Sequence, residues 1–139
     1  MTDSDIDIVH ALYNAWNRRD IDEWVASFAP DATWTNLPTG EIHAGHLGMA
    51  DNYRHWDGPF PDGRCEKLRF GGGNGVVVAE FIAVGTHTGP MPSPDGAIDP
   101  TGLTLSVPFC DLHRVENGRI ISTRRYWDQL TVLTQLGLR

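Results

Sequence analysis

Apolar residues recur at helical spacing through the first part of the chain and at strand spacing through the rest. Ile6, Val9, Leu12, Tyr13 and Trp16 fall on one face of a helix, with Ser4 or Asp3 placed to cap its start. Asp20 can cap a second, shorter helix, whose apolar side is Ile21, Trp24, Val25 and Phe28 and which Pro30 ends. Residues 32–36 read as a short strand stopped by Pro38 and Gly40. Residues 47–56 form a third helix with Met49, Tyr53 and Trp56 facing the core, and residues 57–63 form a loop.

From Cys65 onward the pattern is that of strands. Residues 65–70 are a strand, and residues 71–75 are a hairpin turn: no Lys-Ser/Thr pair follows the glycines, and no helix does, so they are not a phosphate loop. Residues 76–86 are almost continuously apolar, which predicts a central strand covered on both faces. A long Pro- and Gly-rich connection, residues 88–102, is of the kind that overhangs binding sites. Residues 101–115 form the next strand, Glu116-Asn117-Gly118 a tight turn, and residues 119–127 pair back antiparallel. Helices first and a strand meander afterwards indicate an α+β fold, with helices on one face of a curved antiparallel sheet that encloses a cavity.

The 139 residues suit one domain, residues 1–139, with no internal repeat. Such a chain buries roughly 68% of its unfolded surface, enough for a core and a pocket. The net charge of −7 argues against a nucleic-acid partner and against anionic membranes. No run approaches the ~20 apolar residues of a membrane helix, and the acidic N-terminus is unlike a signal peptide; a cytoplasmic protein is expected. Cys65 and Cys110 are too few for a disulfide framework, and His43, His46, His55 and His87 lack the spacing of a metal site, so no metal or cofactor is expected.

Strand alternation sorts the candidate site residues. Leu105, Val107, Phe109, Asp111 and His113 share one face; Thr123, Arg125 and Trp127 share another, opposite to Arg124, Tyr126 and Asp128. Asp111 and His113 either project a carboxylate and an imidazole into one pocket, able to shuttle a proton near neutral pH, or mark a strand end emerging into solvent. Asp128 is either an acid/base carboxylate with a raised pKa or the cap of a tail helix beginning at Gln129. Arg125 either holds one of these carboxylates ionised or binds an anionic substrate group, or else forms a surface salt bridge. Asn36, which shares a face with Trp34, either orients a water or carbonyl or serves a turn. Asn52 on the third helix, and the aromatics Phe81, Phe109 and Trp127, complete the candidate substrate-binding set with Trp34, Asn36 and Arg125.

Several segments together resemble the SnoaL-like polyketide cyclases of the nuclear-transport-factor-2-like superfamily. They are Asn17-Arg18-Arg19-Asp20, Trp24 to Phe28, Ala29-Pro30-Asp31-Ala32-Thr33-Trp34, Ala44-Gly45, Gly85-Thr86-His87-Thr88-Gly89, Pro100-Thr101-Gly102, Val115 to Ile120 and the Tyr126-Trp127-Asp128 tail with its Gln135-Leu136-Gly137. The resemblance implies a cone-shaped α+β fold, a homodimer packed through the sheet, and a deep apolar pocket that takes an apolar small molecule. It also implies an aldol closure of a bulky polyketide ester or ketone without metal or organic cofactor, with Asp111, His113 and Asp128 as the catalytic candidates. Related branches fit less well. The position of the base in ketosteroid isomerases resembles Asn36, that of their hydrogen-bonding acid Asp111, and that of their tyrosine Leu12, with Tyr13 adjacent. Limonene epoxide hydrolases resemble the chain at Trp34-Thr35-Asn36-Leu37-Pro38, but the positions of their charged triad resemble Phe81, Ala83 and Arg125. The same fold also serves as a non-catalytic binding protein, or as a hydratase or isomerase, and fold alone does not choose.

Overall fold

The computed structural model describes residues 4–139. The first helix, α1 (Asp5–Arg18), starts with a capping box: Asp7 N–H donates to the Ser4 hydroxyl, and the Asp7 carboxylate accepts from the Ser4 N–H. Asp3, the other expected cap, lies outside the described residues. Asp20 caps α2 (Ile21–Ala26), accepting from Glu23 N–H. This helix is shorter than its apolar pattern suggests. It stops at Ser27, and Phe28 opens the strand β1 (Phe28–Asn36) instead of closing a helical face. Pro30 therefore ends no helix. It sits inside β1 where pairing with the neighbouring strand shifts register, a place that tolerates a missing N–H.

A short strand that the pattern did not reveal, β2 (Glu41–Ala44), turns back on β1, and α3 (Gly45–Asp57) follows. The rest is the expected meander: β3 (Arg64–Gly73), β4 (Val76–Thr86), β5 (Thr104–Glu116) and β6 (Arg119–Trp127), closed by the tail helix α4 (Gln129–Gln135). Strand order is β2-β1-β6-β5-β4-β3. The sheet is mixed, not purely antiparallel: β1 runs parallel to β6. Everything between β1 and β6 serves as the long crossover that parallel neighbours require.

The first three helices pack on the concave face, and the core lies between. Val9, Leu12 and Tyr13 from α1, Met49 and Tyr53 from α3, and Val77, Phe81, Val107 and Phe109 from the sheet are all buried there. The expectation that β4 is covered on both faces does not hold. Its residues alternate between buried and exposed at its start, with Val78 and Glu80 facing outward; β-branched residues placed on an exposed strand face make the run read as continuous. No helix among the described residues is long and apolar enough to cross a membrane.

Candidate functional site

The turn at Asn117-Gly118 sets β5 against β6, and a one-residue bulge fixes which side chains meet. Val115 faces Ile120, but Arg114 faces Ser122, so Ile121 is skipped; beyond it His113 faces Thr123 and Asp111 faces Arg125. All four are buried on the concave side. Arg125 grips Asp111 with two parallel bonds, Nε to Oδ1 and Nη2 to Oδ2, each 2.8 Å. Tyr13, arriving from α1, donates to Asp111 Oδ2 at 2.6 Å and stands 2.7 Å from His113 Nε2. His113 Nδ1 is 2.7 Å from Thr123 Oγ1. With the Tyr13 proton spent on Asp111, the network closes in one way: His113 donates from Nε2 to Tyr13, and Thr123 donates to Nδ1.

Electrostatics agree with that assignment. Burial pushes the His113 pKa down to about 4, so the ring is neutral at pH 7. Burial, reinforced by the negative Asp111, raises the Tyr13 hydroxyl well above its usual range and keeps it protonated. Burial works against the Arg125 charge, but Asp111 outweighs it and the guanidinium stays charged. Aromatic faces surround the cation: Trp34 at 4.7 Å, Phe109 at 5.3 Å, Trp56 at 5.4 Å and Phe81 at 5.6 Å.

The network meets a small chamber through Tyr13 and Arg125, which both line it; Asp111 and His113 stand behind them. The chamber has about 50 Å3 of free space, room for a few waters or for the reactive end of a larger molecule. Apart from Arg64 and Arg125, its polar side chains are tyrosines, tryptophans and Cys65, whose thiol burial raises to about 12. Among the described residues, no carboxylate, amide or imidazole lines it. The hydroxyl of Tyr53 and the indole N–H of Trp56 are buried in its wall without a partner. Such a lining offers donors and asks for a ligand that accepts.

The other sequence candidates divide. Phe81, Phe109 and Trp34 line the chamber. Asn36 and Asn52 do not: Trp34 Nε1 donates to Asn36 Oδ1 at 2.9 Å, and Asn36 Nδ2 donates to Asn52 Oδ1 at 3.2 Å, a buried strut between β1 and α3. Trp127 stacks on Phe109 at 5.2 Å from outside the chamber and donates to Gln129 Oε1. Asp128 is exposed and caps α4, accepting from Thr131 N–H at 3.2 Å, because its strand parity turns it away from Arg125. The expected neutral-pH shuttle between Asp111 and His113 is also corrected: His113 carries no charge at neutral pH, and neither group touches the chamber directly. Tyr13 is the group that sequence reasoning missed. It looked like one more member of an apolar helix face, and Leu12, given the tyrosine's place in the isomerase comparison, is its aliphatic neighbour in the wall.

A family model for the SnoaL-like domain matches residues 9–123. Solved structures share the fold across nearly the whole chain. IdmH of Streptomyces antibioticus, named as a candidate polyketide cyclase, is 25% identical, with 95% of this chain and 97% of that one covered and a TM-score of 0.77. A SnoaL-like cyclase candidate from Jannaschia is 19% identical over 100% and 99% of the two chains, with a TM-score of 0.84. A protein of ketosteroid isomerase-like fold from Catenulispora acidiphila, solved with trimethylamine, is 22% identical over 96% and 94%, with a TM-score of 0.79. No curated protein matches the sequence.

Proposed function

The chain belongs to the SnoaL-like domain family, and from that premise we propose that it is a cofactor-independent acid/base enzyme acting on an apolar ketone or ester, of the aldol-cyclase type. The observation that carries the reading is the buried hydrogen-bond chain that opens on a donor-lined chamber at only two side chains, Tyr13 and Arg125. Arg125 spends Nε and Nη2 on Asp111, and Nη1 is left for a substrate carbonyl oxygen. A positive charge there stabilises the enolate that forms when an α-proton leaves.

Tyr13 moves the proton. Its oxygen takes the α-proton while its own hydroxyl proton passes 2.6 Å to Asp111, so the carboxylate acts through the phenol as the base. His113 donates to the same oxygen throughout and Thr123 fixes its tautomer. The enolate carbon attacks a second carbonyl of the substrate, and the proton returns along the same path to the new alkoxide. The apparatus fits the reactive end of a substrate; the bulk lies outside the chamber. The reading includes a homodimer packed through the outer sheet face, where Val78 and Tyr126 are exposed.

One observation favours a binding protein without turnover: both carboxylate oxygens of Asp111 are already engaged by Arg125. Deuterium exchange into the methyl group of acetophenone separates the two readings, since it needs only enolisation. The enzyme reading expects exchange above the buffer rate and a hundredfold or greater loss in Tyr13→Phe. Acetophenone that binds without exchanging favours the binding protein.

A further inference from the structure

A second cavity lies beside the chamber. It has about 480 Å3, within the roughly 300–1,000 Å3 of small-molecule sites, whereas the chamber is well below that range. One wall is the Pro-rich connection with Met91, Pro92 and Pro94; another is α4 with Val132 and Leu133. Trp56 and Phe60 belong to the walls of both cavities. Those two side chains are the wall that the cavities share.

Most of the groove is apolar, and among the described residues its only ionisable lining groups are Glu41 and His55. His55 Nε2 stands 3.4 Å from Glu41 Oε1, Thr39 Oγ1 donates to the same oxygen at 3.1 Å, and His43 Nε2 is 3.9 Å from Oε2. Burial lowers the His55 pKa, so the pair acts as a carboxylate beside a neutral imidazole. A carboxylate accepts and an imidazole N–H donates. A hydroxyl satisfies both at once, which an ammonium cannot.

We propose that this groove holds the body of the substrate whose carbonyl end enters the chamber, and that Glu41 and His55 bind a hydroxyl or phenol at its far end. The inference rests on the functional reading above for the substrate's carbonyl end. It assigns the connection over residues 88–102 the role of a binding wall, and it explains how a chamber with room for only a few waters serves a larger molecule.

The test compares methyl naphthyl ketone with the same ketone bearing a hydroxyl at the far end of the naphthalene. Binding is followed by the Met91 methyl resonance in methionine-labelled protein, and exchange at the acetyl group is followed in parallel. Both ketones should shift Met91, and the hydroxylated one should bind about tenfold more tightly, the size of one hydrogen bond to a charged group. Glu41→Gln should remove that advantage and leave the affinity of the plain ketone unchanged. An unmoved Met91 resonance, or an advantage that survives Glu41→Gln, would overturn the proposal. Because Met91 reports occupancy without turnover, exchange that fails while Met91 responds counts against the catalytic reading alone.

Discussion

Replacing Asp111 with Asn should unfold the protein far more easily, although it changes the side chain's shape very little. The native carboxylate accepts two bonds of 2.8 Å from Arg125 and one of 2.6 Å from Tyr13, and it is fully enclosed. The substitution leaves the guanidinium as an unpaired cation inside a box of Trp34, Trp56, Phe81 and Phe109. Removing one partner of a buried ion pair costs about 3–5 kcal/mol. The cation–π contacts exist in both forms and do not offset this. For a chain of 139 residues, each kcal/mol lowers the melting temperature by about 2–4 °C, so a fall on the order of 10 °C is expected. Urea unfolding followed by tryptophan fluorescence would measure Asp111→Asn, Arg125→Met and the double variant. The double variant should be more stable than the sum of the single effects allows, by at least about 2 kcal/mol, because it leaves no orphaned charge. A single Asp111→Asn cost below about 1 kcal/mol, or strict additivity, would refute the reasoning.

Other expectations follow from the same geometry. His113 has a folded pKa of about 4 against roughly 6.5 in the unfolded chain, so the unfolded state takes up the proton first as pH falls. Its contribution is therefore full above about pH 6.5 and is lost between there and pH 4, by roughly 3 kcal/mol; unfolding free energies at several pH values should show a flatter profile in His113→Gln, and parallel profiles would contradict this. Tyr13→Phe should lose ketone exchange while circular dichroism shows an intact fold, with a stability cost of about 1–3 kcal/mol for the unpaired neighbours. Asp128→Ala should cost about 0.5–2 kcal/mol in thermal melts through the lost cap and leave exchange at the wild-type rate; an exchange rate that collapses would restore Asp128 to the site.

Much of this architecture is legible along the chain because the signals are local. The alternation of Leu105, Val107, Phe109, Asp111 and His113 reports one buried face, and the structure keeps all five inside. The partner of Asp111 is less legible. Counting back evenly from the Asn117-Gly118 turn sets Arg124 opposite Asp111, and only the bulge at Ile121 brings Arg125 there. Parallel pairing of β1 with β6 leaves no local mark, since its partners, such as Phe28 and Ile120, lie far apart in the sequence. Tyr13 hides for a related reason: its spacing is that of a core residue, and its hydroxyl matters only because β5 brings Asp111 and His113 beneath it. Asn36 and Asn52 mislead in the other direction, since burial makes two amides resemble a site while a single hydrogen bond ties them together across a helix–strand contact. For Asp128, the same strand alternation that pairs Arg125 with the interior sends the carboxylate to the surface, where the start of α4 uses it.

The most direct test of the central claim is a crystal structure with methyl naphthyl ketone bound. The account predicts the carbonyl oxygen within hydrogen-bond reach of Arg125, the methyl carbon against the Tyr13 hydroxyl, and the Asp111–Arg125 pair intact. A ketone bound elsewhere, or one that enters the chamber with its carbonyl turned away from Arg125, would contradict it.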